Sequence, residues 1–197
     1  MAVRKDELLQ VLAGVLARRP YSALDVSPSS AVPAAVLVII HYHDQRPHVF
    51  LTKRGAGLRS HGGEISFPGG RFAQGDDKSL MDTALRETEE EVGIAFKQSD
   101  VLGSLEPVRT MTSNHFIVPF VTVQDMLPQV RVQATEVAEI LDVPLVETLG
   151  TRRPDTEHFR FSKNAYRFEY NGNVIWGATA RILDQLHRML FAGVSRV

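Results

Sequence analysis

Arg86-Glu87-Thr88-Glu89-Glu90-Glu91-Val92-Gly93-Ile94 is the stretch that decides the fold. It closes the best helix in the sequence, Ser79 to Val92, with Ser79 placed to cap the N-terminus, Asp76 and Asp77 just before it, and Gly93 placed to end it. At about 100° per residue, Glu87, Glu90 and Glu91 share an arc of roughly 100°, and Glu89 points elsewhere. Met81, Ala84, Leu85, Thr88 and Val92 fill the neighbouring arc, which faces a core. Like charges at i, i+3 and i+4 repel, so the cluster weakens the helix unless something offsets it. Mg2+ or Mn2+ would do so, as hard ions that take oxygen ligands and complete their shells with phosphate. A solvated acidic face is the alternative reading of the helix alone.

Upstream, Phe67-Pro68-Gly69-Gly70 leads from a short strand into a loop that ends at this helix. Paired glycines permit the close backbone approach that a phosphate-facing loop needs. With Gly70, the run Arg86 to Ile94 resembles the Nudix box, G-x5-E-x7-REUxEExGU with U aliphatic. The second half matches except for Thr88 at an aliphatic position. In the first half the box's glutamate falls on Lys78 and its glycine on Phe72, so Asp76 or Asp77 is left to supply the acid. Leu51-Thr52-Lys53-Arg54 through Arg59 and Gly63 to Phe67-Pro68-Gly69-Gly70 is similar to the signature of the coenzyme A pyrophosphatase branch, LLTxRSx3Rx3GxxxFPGG, with its spacing kept. Gly55 stands where serine is usual, and Phe50-Leu51 replaces the leucine pair. Ile175 to Ala180 also resembles that branch.

The resemblance implies the Nudix fold, an α/β architecture with a mixed β-sheet between α-helices. It implies hydrolysis of a nucleoside diphosphate substrate, coenzyme A or a derivative, to 4′-phosphopantetheine and adenosine 3′,5′-bisphosphate. It further implies Glu87, Glu90 and Glu91 as the metal ligands, with Arg86 expected to orient a helix carboxylate. The base is a helix glutamate (Glu90 or Glu91) or Glu136, which precedes an apolar strand. Coenzyme A also carries a 3′-phosphate, so Lys53, Arg54 and Arg59, spaced along a glycine-rich segment with Gly69 and Gly70, suit it. Arg54 paired with a structural carboxylate is the plainer reading of that residue. His61 either meets phosphate or is an exposed loop histidine. Thr112-Ser113-Asn114-His115-Phe116 lines the cleft or is a polar turn, and Trp176 stacks adenine or sits in the core. The rival functions are the same chemistry on ADP-ribose or a dinucleotide, a non-catalytic nucleotide sensor, and isopentenyl diphosphate isomerase chemistry, for which the needed cysteine is lacking.

Around these motifs the chain reads as one domain. Its 197 residues are 44% hydrophobic and 23% charged, with a net charge of -1. Residues 1–30 are an N-terminal helix (Lys5 to Arg18) and a Ser/Pro-rich connector, and 31–197 form the hydrolase domain. Strands are expected at Ala34 to Tyr42, His48 to Lys53, Val101 to Leu105, Phe116 to Val123 and Glu139 to Val143. A hairpin follows, turning at Asn171-Gly172, and a last helix spans Thr179 to Phe191. The near-neutral charge gives no field for nucleic acid, and no apolar run approaches the ~20 residues of a membrane span. Without cysteine there are no disulfides, and a cytoplasmic enzyme is the expectation. A homodimer is left open.

Overall fold

The computed structural model describes residues 3–16, 31–55, 63–110, 113–158 and 165–191. The central strand β1 (Val32–His43) is apolar almost throughout because both of its faces are covered. Ala35, Leu37 and Ile39 enter one core; Val38 and Ile40 enter the other. β1 turns into β2 (Arg46–Arg54) through Asp44 and Gln45, whose positive φ values of 48° and 61° suit a two-residue hairpin turn. Pro47, outside the strand expected from His48, already pairs with Tyr42 in the ladder.

β1 and β2 pair only near the turn, from Ile40↔Val49 to His43↔Arg46. Away from it they part, and two short strands occupy the opening. β3 (Ile65–Ser66) pairs with β2, and β4 (Gly69–Arg71) pairs with β1. The other edge of β1 carries β7 (His115–Gln124) in parallel, from Val32↔His115 to His41↔Gln124. β5 (Val101–Ser104) and β6 (Val108–Arg109) pair antiparallel with β7, and β8 (Val137–Pro144) pairs with the outer edge of β2. The sheet is therefore mixed.

Helix α2 (Leu80–Val92) covers one face, burying Leu80, Ala84 and Val92 against Ala35, Leu37, Phe50 and Phe120. The other face is covered by α1 (Lys5–Val15), α3 (Leu145–Leu149) and α4 (Gly177–Phe191). Leu8 and Leu12 of α1 are fully buried in that core, so the N-terminal helix is part of the packed body. The boundary expected at residues 30 and 31 abuts residues outside the described set. A small sheet of β9 (Arg153–Pro154), β10 (Tyr166–Tyr170) and β11 (Asn173–Ile175) includes the hairpin turning at Asn171-Gly172. Among the described residues no helix is long and apolar enough to cross a membrane.

Candidate active site

α2 is fixed at both ends by the residues read as its caps. Ser79 Oγ accepts from the Asp82 N–H (3.2 Å); Gly93 takes φ 68° and donates its N–H to Glu89 O. Thr88, where an aliphatic residue is usual, is fully buried and donates its hydroxyl to Ala84 O at 2.6 Å, so its polarity is satisfied within the helix.

The three glutamates differ in environment. Glu91 is 4% exposed and accepts the Gly69 N–H at Oε2 (3.2 Å). Its Oε1 is 3.5 Å from Arg54 Nη1. Burial pushes its pKa up to about 7; Gly69 and Arg54 oppose the rise, and Glu87 and Glu136 add to it. Burial also raises Glu87, against Arg86. Glu90 is the exposed member, its side chain 59% accessible. Arg86 ties them together. Its Nη1 is 2.9 Å from both Glu87 Oε1 and Glu90 Oε2, while its Nε and Nη2 grip Asp77 in a two-pronged contact (2.8 and 3.0 Å). Of the two candidate acids, Asp77 is therefore the one on Arg86. Burial alone would raise its pKa, but Arg86, the Ala73 N–H and Thr83 hold it below the usual carboxylate range.

Both glycines of the Pro-Gly-Gly stretch are tightly enclosed, Gly69 by backbone and Gly70 by a side chain. A Cβ on Gly69, at φ 149°, would lie 2.3 Å from Ala35 O and 2.6 Å from Val36 Cα. A Cβ on Gly70 would lie 2.3 Å from the Glu87 carboxyl carbon. The turn is thus pressed between β1 and the acidic face of α2.

Glu136 arrives on the segment leading into β8. The Arg131 and Gln133 N–H groups donate to Val92 O and Glu91 O (2.9 Å each), satisfying carbonyls that a helix end leaves open. Gly55 N–H binds Glu136 O at 3.0 Å.

A cavity of about 560 Å³ lies between these elements, a size typical of small-molecule sites. Arg54, Gly69, Gly70, Glu87, Glu91 and Glu136 line it, joined by Ser113, His115 and Trp176 on the facing walls. Trp176 stacks on His158, ring centroids 4.3 Å apart. Arg54 Nε is buried and has no hydrogen-bond partner among the described residues. Not every candidate gathers here. Arg86 stands behind the glutamates, and Glu90 is outside the lining. Lys53 donates to Asn173 Oδ1 (3.0 Å) and lies 3.7 Å from Glu139. Asn114 takes φ 49° in the turn before β7 and accepts the Val32 N–H on its carbonyl. Arg59 and His61 lie outside the described residues. Glu64 and Arg71 line the cavity without having been singled out. Arg71 Nε donates to His115 Nε2 (3.0 Å), and its place directly after Gly70 was the signal that could have found it.

The donor set fits a divalent metal. Glu87, Glu91 and Glu136 offer oxygen only, and the buried Glu91 faces the other two while receiving, among the described residues, one N–H and a loose arginine contact. A hard dication would relieve that repulsion.

Comparison with known proteins agrees. The NUDIX domain model matches residues 31–163. Two proteins described as uncharacterized Nudix hydrolase NudL are each 38% identical: that of Photorhabdus laumondii over 144 residues (72% of this chain, 76% of the relative), and that of Pectobacterium atrosepticum over 156 (78% and 80%). The fold is shared with the NUDIX domain of Shewanella oneidensis NrtR, solved in complex with ADP ribose (TM-score 0.56, 17% identity, 86% of this chain and 94% of that one). It is also shared with a MutT/nudix family protein from Enterococcus faecalis (TM-score 0.57, 13% identity, 82% and 63%). The domain match and the NudL relatives establish that this chain belongs to the Nudix family, as a hydrolase of acid anhydrides in nucleoside diphosphate derivatives, a family that generally uses divalent metal ions.

Proposed function

We propose that the substrate is coenzyme A or a derivative, cut at its diphosphate to 4′-phosphopantetheine and adenosine 3′,5′-bisphosphate with Mg2+ or Mn2+. The observation that carries the reading is Arg54. It belongs to the Leu51-to-Gly70 stretch that resembles the coenzyme A pyrophosphatase signature, it lines the cavity, and its buried Nε lacks a partner among the described residues. An oxygen of a bound diphosphate is the natural acceptor for that N–H.

Glu87 and Glu91, on the cavity wall, and Glu90, beside them on the same helix but outside the lining, would hold the metal. When bound, it neutralises charge on the diphosphate and acidifies a water for in-line attack. Arg86, locked on Asp77, positions Glu87 and Glu90 from behind. Glu91, whose pKa burial pushes up to about 7, and Glu136, on the cavity wall, are the two candidates to take the proton of the attacking water. Arg54 and the Gly69-Gly70 turn contact the diphosphate. Arg59, from the same signature, is assigned to the 3′-phosphate, with His61 as a further substrate contact; Lys53 and Asn114, which lie off the cavity lining, are not assigned one.

The test is a purified-substrate panel of coenzyme A, dephospho-coenzyme A and ADP-ribose with each metal. A kcat/KM at least roughly tenfold higher for coenzyme A than for either competitor is expected, since one charge-assisted contact contributes on the order of 1.5–3 kcal/mol. Arg59→Ala should erode that preference while sparing ADP-ribose. Equal rates with and without the 3′-phosphate would overturn the coenzyme A assignment. Near-normal turnover in Glu90→Gln would overturn the glutamate assignment.

A further inference from the structure

At the other end of β1 the sheet gathers a second set of metal-binding side chains. His41 and His43 alternate along β1 and so project from one face, and His48 of β2 is the cross-strand partner of His41. Asp142 of β8 pairs with Phe50, two residues from His48, and joins that face. Three adjacent strands therefore aim three imidazoles and one carboxylate at a single point. The cavity begins at Ala34 and Val36, and the seven steps along the strand from Val36 to His43 span about 23 Å at the rise of a β-strand. The cluster is remote from the hydrolase site.

Its geometry is tight. Asp142 Oδ1 accepts from His41 Nε2 and from His48 Nδ1, each at 2.9 Å, and Oδ2 is 3.6 Å from His43 Nδ1. Ligand atoms of His43, His48 and Asp142 all lie within 4.8 Å of one another. A tetrahedral ion with bonds of about 2.0–2.1 Å needs its ligands about 3.3 Å apart. Small side-chain rotations would provide that.

We propose that His43, His48 and Asp142 form a binding site for a borderline first-row dication, zinc foremost, with its fourth position open to solvent. Two imidazole nitrogens and one carboxylate select zinc, cobalt or nickel over magnesium or manganese, so the ion class differs from that of the all-oxygen glutamate site. The ion takes the place of the proton now shared between His48 Nδ1 and Asp142 Oδ1. A neutral imidazole accommodates this by carrying its proton on Nε2. His41, 3% exposed, remains on Asp142 as an outer donor that fixes the carboxylate's orientation. His43 and Asp142 are accessible enough to admit the ion, with side chains 61% and 37% exposed. Bound there, the ion ties β1, β2 and β8 together where the hairpin closes.

The experiment titrates Zn2+ into the full chain by calorimetry with millimolar Mg2+ saturating the glutamates, and repeats it with Co2+ by visible absorption. One equivalent of Zn2+ should bind and raise Tm, and Co2+ should give the intense bands of a four-coordinate nitrogen-ligated ion. His43→Ala, at a largely exposed position, should fold normally, keep Mg2+-dependent hydrolysis, and lose at least roughly tenfold in Zn2+ affinity, as should His48→Gln. Unchanged Zn2+ affinity in both variants would overturn the site, and so would Zn2+ binding that Mg2+ abolishes.

Discussion

Glu91 makes the metal-free protein respond to pH in an unusual direction, and the size of the response follows from its burial. Its carboxyl is 4% exposed and its pKa stands at about 7 in the folded chain, against 4.5 for an exposed glutamate. The folded state therefore holds a proton that the unfolded state has released. That linkage stabilises the fold fully below about pH 4.5 and is lost as pH rises through 7. At 1.36 kcal/mol per unit the difference is on the order of 3 kcal/mol, of which most is expressed between pH 5 and 8. Urea denaturation in the presence of a chelator should accordingly show wild type less stable at pH 8 than at pH 5 by about 2–3 kcal/mol more than Glu91→Gln. Histidines that titrate in the same window act on both proteins and cancel in the comparison. Adding Mg2+ at pH 8 should restore wild type and leave Glu91→Gln nearly unmoved, because the ion binds the folded state through the ionised carboxylate. Identical pH slopes for the two chains, with or without the ion, would refute the claim that an ionised Glu91 is under electrostatic stress in the fold.

The two glycines of the turn should separate stability from activity. Gly70→Ala places a methyl 2.3 Å from the Glu87 carboxyl, a flexible end that can swing away, so Tm should shift little while metal affinity and turnover fall roughly tenfold or more. Gly69→Ala meets the β1 backbone at an unfavourable φ and should destabilise the fold by about 3 kcal/mol or more, read by denaturant melts. Asp77→Asn leaves the Arg86 guanidinium without its two-pronged partner, although Glu87 and Glu90 remain on it. A loss of about 2–3 kcal/mol is expected together with a fall in kcat at unchanged KM; a variant with wild-type kcat would show that Arg86 needs no such anchor.

The sequence exposes most clearly what local chemistry determines. Ser79 and Gly93 delimit α2 because capping is a property of single residues, and β1 is visible because a strand buried on both faces is apolar along most of its length. β4 is not visible. Gly-Gly-Arg has no strand propensity, and it pairs only because β1 and β2 part and leave an edge to be filled. α3, five residues long, is too short to show a period. The glutamates show the same division. Helical spacing places Glu87, Glu90 and Glu91 together, but their burial depends on where β4 lies under α2, and that is a tertiary fact. Arg54 and Glu136 come together through the β2–β8 ladder, 82 residues apart in sequence (54 to 136), and the histidine cluster depends on that same register. Alternating histidines at 41 and 43 carry no meaning until Asp142 is known to lie across β2.

The charge arrangement explains why an otherwise stable fold keeps an unfavourable cluster. Arg86 is engaged by Asp77, Glu87 and Glu90 at once, and its guanidinium is held on their side of the helix. Among the described residues Glu91 receives only the Gly69 N–H and Arg54 at 3.5 Å, a separation too long for a good hydrogen bond. Arg54 in turn has an Nε that nothing among the described residues accepts. Each of these two groups lacks what the other class of ligand would bring: the carboxylate a dication, the guanidinium an anion. A hard cation alone would leave Arg54 facing added positive charge, and a diphosphate alone would press against Glu87, Glu91 and Glu136. Only the two together satisfy both sides, so metal and diphosphate should favour each other's binding by charge compensation across the cavity.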